Sequence, residues 1–237
     1  MFSEIDNKID TNKIKRIIFD LDDTIIDWKD EYWNSIIETL NELNIFYKQE
    51  DIRKFQNALD KYEDGRYKRH DKDKMRIIMQ DELGYKLPSN FIDTWLKYLG
   101  GCVPEKIDEE TIKTLDYLSN KYELVLLSNW FEKSQIERLE KANLLKYFKE
   151  TYFSENIDMK PSKESFEIAQ GCYNYDECIM IGDNIKVDIL GALKSNIKPI
   201  FINKKNKEIS KEISKIIKEN NYEIVSINKL EQLIEIL

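Results

Sequence analysis

Three short runs of the chain are almost wholly apolar and end abruptly in polar residues: Ile17-Ile18-Phe19, Leu124 to Leu127, and Ile179-Met180-Ile181. Runs of that length, apolar at every position rather than at every second one, are the pattern of strands buried on both faces of a parallel sheet. Pro199-Ile200-Phe201-Ile202 is a fourth of the same kind, and Tyr152-Phe153 and Ile224-Val225 are shorter candidates. Between them the apolar positions recur at helical spacing, as in Ile112, Leu115, Leu118 and in Ile209, Ile213, Ile216, Ile217, which turns one face of an amphipathic helix to the core. Strand and helix alternate, so the pattern predicts an α/β domain on a parallel sheet.

Residues 29–104 break the alternation. Four helical stripes follow one another there with no convincing strand between them: Trp33, Ile36, Ile37, Leu40; Ile52, Phe55, Leu59, Tyr62; Met75, Ile78, Met79, Leu83; and Phe91, Trp95, Leu96, Leu99. Gly84 stands where a helix ends, Pro88-Ser89 where one begins, and Gly100-Gly101 with Pro104 punctuate the return to the α/β pattern. The prediction is an α/β core from residues 1–28 and 105–237, with an all-helical four-helix-bundle cap, 29–104, inserted in it.

Composition narrows the chemistry. Lys and Arg number 37 against 45 Asp and Glu, a net charge of −8 that repels a phosphate backbone, so nucleic acid is not the expected partner. His70 is the only histidine, which excludes a His-rich zinc site and a histidine acid/base pair. Cys102, Cys172 and Cys178 have no C-x-x-C spacing and read as reduced, mostly buried residues. The charged N-terminus resembles no signal or transit peptide, and no apolar run approaches the ~18 residues of a membrane span. A soluble cytoplasmic protein without a membrane partner is expected; monomer and homodimer stay open.

The informative residues sit just past the strands. The first run delivers Asp20-Leu21-Asp22-Asp23-Thr24, the second Ser128-Asn129, and the third Gly182-Asp183-Asn184-Ile185-Lys186-Val187-Asp188, while Lys160-Pro161 opens another helix. An isolated D-x-D-D is most simply a solvated acidic turn, and a calcium loop would need Gly at its sixth position. Together, however, a parallel sheet brings these ends to one rim, where Asp20, Asp22, Ser128, Lys160, Asp183 and Asp188 would share a crevice. Unit charges about 4 Å apart at an effective dielectric of roughly 20 interact by about 4 kcal/mol, so such a cluster calls for a cation. All-oxygen ligands with waters and a substrate phosphate suit Mg²⁺. One carboxylate could then attack phosphorus while Lys160 and Ser128 hold its oxygens and a second carboxylate serves as acid and base.

FDLDDT at 19–24, LLSN at 126–129, KP at 160–161 and IGDNIKVD at 181–188, in that order, resemble the four motifs of the haloacid dehalogenase-like hydrolase superfamily, in its phosphatase branch with a helical cap after the first motif. The resemblance implies a doubly wound, Rossmann-like core and Mg²⁺-dependent hydrolysis of a small phosphate monoester, such as a sugar phosphate or nucleotide, through an aspartyl-phosphate. It implies Asp20 as nucleophile, Asp22 as acid and base, and Ser128, Asn129 and Lys160 as phosphoryl-binding, Lys160 also neutralising charge between nucleophile and phosphate. Mg²⁺ would be held by the Asp20 and Asp183 carboxylates and the Asp22 carbonyl, with Asp188, Asp23 and Thr24 in support. Members that cleave carbon–halogen bonds lack an acid at the position of Asp22, which disfavours a dehalogenase. A phosphotransferase or phosphomutase uses the same residues and is the near alternative; a non-enzymatic phospho-accepting or structural relative is the distant one.

Two further features have plain readings. The basic run Gly65 to His70 reads as a solvated loop between helices, or as an anion contact. Trp28, Trp33 and Trp130-Phe131 could wall a ring-bearing substrate, or pack in the core and at the hinge.

Overall fold

Alternate residues of each central strand go to opposite faces. Ile17, Phe19, Leu124, Leu126, Ile179 and Ile181 enter one apolar cluster, while Ile18, Val125, Leu127, Cys178 and Met180 enter another. That two-residue period leaves no polar face, which is why the runs are apolar throughout. The strands are β1 (Phe2–Ser3), β2 (Arg16–Phe19), β3 (Glu123–Ser128), β4 (Glu150–Phe153), β5 (Cys178–Gly182), β6 (Lys198–Ile202) and β7 (Ile224–Ile227). They form one parallel sheet in the order β1-β7-β6-β5-β2-β3-β4.

This computed structural model describes residues 2–3, 9–27, 33–65, 67–206, 208–222 and 224–237 of the chain. Trp28, Arg66 and the expected boundary at residues 28 and 29 lie outside them.

The helices are α1 (Asn34–Glu42), α2 (Gln49–Asp64), α3 (Lys72–Leu83), α4 (Phe91–Leu99), α5 (Glu109–Lys121), α6 (Glu132–Lys141), α7 (Lys163–Gln170), α8 (Leu190–Lys194), α9 (Lys211–Glu219) and α10 (Leu233–Ile236). Leu115 and Leu118 of α5, Leu139 of α6 and Leu233 of α10 cover one face of the sheet; Phe166 and Ala169 of α7 and Ala192 of α8 cover the other. The core is therefore doubly wound, as expected.

The winding reverses at β2. Ile17 is paired with Leu124 on one side and Ile179 on the other, and Phe19 with Leu126 and Ile181. From β2 the chain moves outward to β3 and β4, then crosses back to β5, β6 and β7. In open sheets of this kind the strand ends at the reversal bound the ligand crevice.

Helices α1 to α4 fill residues 34–99, and among the described residues no strand interrupts them. Asp71 caps α3 by accepting the Lys74 N–H at 2.9 Å, and Gly84, at φ 79°, ends it in the left-handed conformation that favours glycine. Helix α2 packs on α3, and α4 on both α1 and α3, around Phe55, Tyr62, Met79, Phe91 and Trp95. The Phe55 and Phe91 rings stack at 5.5 Å, and the Trp95 indole donates to Ser35 Oγ at 2.8 Å. Trp130 and Phe131, which follow β3, close the same apolar cluster.

Candidate active site

The chain leaves β2 by a tight turn. Asp20 N–H still donates to the Ile181 carbonyl at 2.9 Å, continuing the sheet, and then the N–H groups of Ile25 and Ile26 both return to the Leu21 carbonyl. Asp23, at φ 58°, makes the reversal, which an aspartate tolerates better than most residues. The turn lays Thr24 under Asp20, and its buried hydroxyl donates to Asp20 Oδ2 at 3.1 Å.

The other Asp20 oxygen faces Lys160. The lysine Nζ donates to Asp20 Oδ1 and to Asp188 Oδ1, both at 2.7 Å, and all three residues are buried. Lys160 is held there from behind: the Asn129 amide accepts from the Lys160 N–H and donates to the Lys160 carbonyl, both at 2.8 Å. The Asn129 side chain is thus engaged by main chain, so any contact of Asn129 with a phosphoryl group would come from its backbone.

Asp188 is delivered by a single wide helical turn, Ile185–Ile189, whose first N–H groups, those of Lys186 and Val187, are capped by the Asn184 side chain. Its Oδ2 accepts the Asn184 N–H at 3.0 Å. Gly182, at the end of β5, is required beneath it, because a Cβ there would overlap the Asp188 carboxylate. Asp20, Asp183 and Asp188 each present an oxygen within 4.8 Å of the others. Three carboxylates against the Lys160 ammonium leave a surplus of negative charge. Burial, with repulsion from Asp188 and Asp22, pushes Asp20 up to about 8 despite Lys160. Burial opposes the Lys160 charge, but Asp188 and Asp20 outweigh it and raise the lysine above its ordinary value. The donors are all oxygen, a set suited to a hard divalent cation.

Asp22 turns away from this cluster. Its Oδ1 accepts from Arg138 Nη1 at 2.6 Å and its Oδ2 from Gln135 Nε2 at 2.7 Å. The same Gln135 nitrogen lies 3.0 Å from the buried Ser128 Oγ, and Gln135 Oε1 accepts from Arg138 Nη1 at 2.7 Å. Neither Gln135 nor Arg138 is apparent from the motifs. The available signal is that both lie on the inward stripe of α6 with Leu139, so a cation occupies a helix position otherwise reserved for apolar side chains.

The remaining residues are placed as follows. Asp23 pairs with Lys205 at 2.7 Å and Asp27 with Lys204 at 2.8 Å, so the segment after β6 borders the turn. His70 is not solvated: it is buried against Tyr62, Trp130 and Phe131, with Nδ1 2.6 Å from Ser154 Oγ. Lys68 and Arg69 beside it pair with Asp158. The basic run is thus a docking segment, because its backbone is also bonded to Ser154 and Met159. Trp130 is buried edge-on to Trp95 and is packing rather than a pocket wall. The cysteines form no disulfide, and Cys178 is buried but Cys172 exposed, since it lies in the turn after α7. Among the described residues no helix is long and apolar enough to cross a membrane.

Known proteins share this sequence pattern and this fold. The sequence profile of the haloacid dehalogenase-like hydrolases matches residues 17–202, well over half of the chain and every residue from Asp20 to Asp188. The chain is 23% identical over 233 residues to the glyceraldehyde 3-phosphate phosphatase of Methanothermobacter thermautotrophicus, covering 94% of this chain and 100% of that one. It is 26% identical over 127 residues to the pyrimidine 5'-nucleotidase YjjG of Escherichia coli, covering 52% and 54%. In fold it matches the magnesium-bound crystal structure of the HAD-hydrolase YfnB of Bacillus subtilis with a TM-score of 0.72 at 20% identity, over 94% of this chain and 98% of that one.

Proposed function

The chain belongs to the haloacid dehalogenase-like hydrolase family, and from that premise we propose that it is a Mg²⁺-dependent phosphatase acting on a small phosphate monoester through an aspartyl-phosphate on Asp20. The observation that carries the reading is the meeting of Asp20, Lys160, Asp183 and Asp188, from three separate strand and loop ends, with Asp22 two residues from the nucleophile. Asp22 separates this reading from carbon–halogen cleavage, which has no use for an acid there.

In the first step an Asp20 oxygen bonds to phosphorus as the bond to the leaving oxygen breaks, and Asp22 gives that oxygen its proton. In the second, Asp22 takes a proton from water as the water oxygen attacks phosphorus, releasing phosphate and restoring Asp20. Thr24 fixes one Asp20 oxygen, while Lys160 favours the charged carboxylate against the burial that opposes it and offsets charge on the phosphoryl oxygens. Ser128 offers its hydroxyl to the same group. The Asp20 and Asp183 carboxylates and the Asp22 carbonyl would hold Mg²⁺, with Asp188 orienting the set; bound there, the ion supplies positive charge against the nucleophile and the phosphoryl group.

Helices α1 to α4 act as a cap that excludes water and shapes the leaving-group pocket, with residues 29–104 as its extent. A lid of that size favours small substrates. The relatives named for glyceraldehyde 3-phosphate and pyrimidine 5'-nucleotides are named for compounds of that class. Cysteines without a disulfide suit a reducing compartment such as the cytoplasm.

Phosphate release from an aryl phosphate and a panel of phosphorylated metabolites, with and without Mg²⁺, tests the reading. Metal-dependent release by the wild type and none by Asp20→Asn is expected. Equal release by the two proteins across the panel would overturn it.

A further inference from the structure

We propose that Gln135 and Arg138 are positioning residues that aim the Asp22 carboxylate at the leaving group, an inference that rests on the phosphatase reading. A fully buried arginine on the inward stripe of a helix is costly, and a buried ion pair replaced as a whole by apolar residues is often no less stable, so folding alone gives little reason for it. What the residue does have is an address: its Nη1 reaches Asp22 Oδ1 at 2.6 Å while Gln135, one turn earlier on α6, reaches Oδ2 at 2.7 Å. Separate donors on the two oxygens fix the plane of the carboxylate as well as its position, which one donor does not do.

The donors are themselves fixed. Gln135 Oε1 accepts from Arg138 Nη1, which orients the amide so that its nitrogen faces Asp22 and Ser128. Arg138 Nε donates at 3.2 Å to the carbonyl of Cys102, in the segment that returns from α4 to the sheet. Helix α6 therefore carries a frame in which the acid/base Asp22 and the phosphoryl-binding Ser128 share one amide nitrogen. A carboxylate has about four acceptor sites, and these donors use two of them. The Asp22 side chain keeps 29% of its surface exposed, so its two donors orient it without sealing it off.

The test compares kcat/KM for p-nitrophenyl phosphate and phenyl phosphate, which share a ring but differ in the basicity of the oxygen that departs. Arg138→Met should lower kcat/KM for phenyl phosphate roughly 10- to 100-fold and for p-nitrophenyl phosphate several-fold less, because only the poorer leaving group needs a well-aimed proton. In an Asp22→Asn background the same substitution should change neither substrate by more than about twofold. Gln135→Met, which removes a neutral donor and no charge, should give the same pattern at smaller amplitude and stands in if Arg138→Met does not fold. Equal losses on both substrates, or losses that multiply with Asp22→Asn, would assign both residues to packing and overturn the proposal. A wild type inactive on both substrates and on the panel of phosphorylated metabolites would instead overturn the phosphatase reading itself.

Discussion

The ammonium of Lys160 lies 2.7 Å from Asp20 although 140 residues separate them in the chain, and its partnership with Asp188 at the same distance makes it the bridge between the ends of β2 and β5. Removing one partner from a buried ion pair leaves the others charged and unsolvated, which costs roughly 3–5 kcal/mol. Lys160→Met should therefore lower the unfolding free energy by an amount in that range and reduce phosphate release at least about 100-fold. Urea unfolding and a phosphate assay on the same preparation check both; a variant as stable as the wild type would mean that the bridge is not formed.

Thr24 offers a gentler probe of the same carboxylate. Its hydroxyl is buried and bonded to Asp20 Oδ2, and valine has nearly its shape but no donor. A hydrogen bond to a charged group contributes about 1.5–3 kcal/mol, so Thr24→Val should cut kcat roughly 10- to 100-fold while the circular dichroism spectrum stays unchanged. Undiminished kcat would show that Thr24 supports the turn and not the nucleophile.

Much of this arrangement is legible in the sequence, for physical reasons that also mark the limit. Every strand read from an apolar run is present; the central ones, β2, β3 and β5, are buried on both faces and have no polar position to confuse their period, whereas β4 and β7 are partly exposed and show only as two-residue runs. Strand β1 is two residues long, too short to carry a period, and is recognised only by its pairing with β7. Asp20, Ser128 and Asp183 sit at or just past the ends of β2, β3 and β5, where a strand end fixes its next residue at the rim, whereas Lys160 lies between β4 and α7 and is held there by the Asn129 amide. Asp188, also expected in the crevice, reaches the carboxylate cluster through a wide turn and the missing Cβ of Gly182, neither of which has a spacing rule. Gln135 and Arg138 matter through the helix face they occupy, and His70 through contacts with residues more than 50 positions away, so local pattern is silent on all three.

Gly182 gives a steric test of the metal reading. Its backbone is not left-handed, so alanine brings no conformational penalty; the added methyl would meet the Asp188 carboxylate and displace it. Disturbing a residue that orients metal ligands commonly weakens binding 10- to 100-fold. The Mg²⁺ concentration for half-maximal activity should rise at least about tenfold in Gly182→Ala, with activity regained at high Mg²⁺. An unchanged Mg²⁺ requirement would remove Asp188 from the metal's surroundings.

His70 should make stability sensitive to acid below neutrality. Burial among Tyr62, Trp130 and Phe131 lowers it from 6.5 to about 4, since the charged ring would be cut off from water. Between those values the unfolded chain binds the proton and the folded one does not, so stability rises with pH across that window. The contribution is complete above pH 6.5 and lost as pH falls toward 4, about 2 kcal/mol of it by pH 5 at 1.36 kcal/mol per unit. In His70→Gln that part of the dependence disappears while the carboxylates titrate as before. The difference between wild type and variant in urea midpoint should therefore change between pH 7.5 and pH 5.0, the wild type losing more. Parallel profiles would mean that the ring takes up its proton in the folded protein as readily as in the unfolded one, and that the segment carrying Lys68 and Arg69 opens to let it do so.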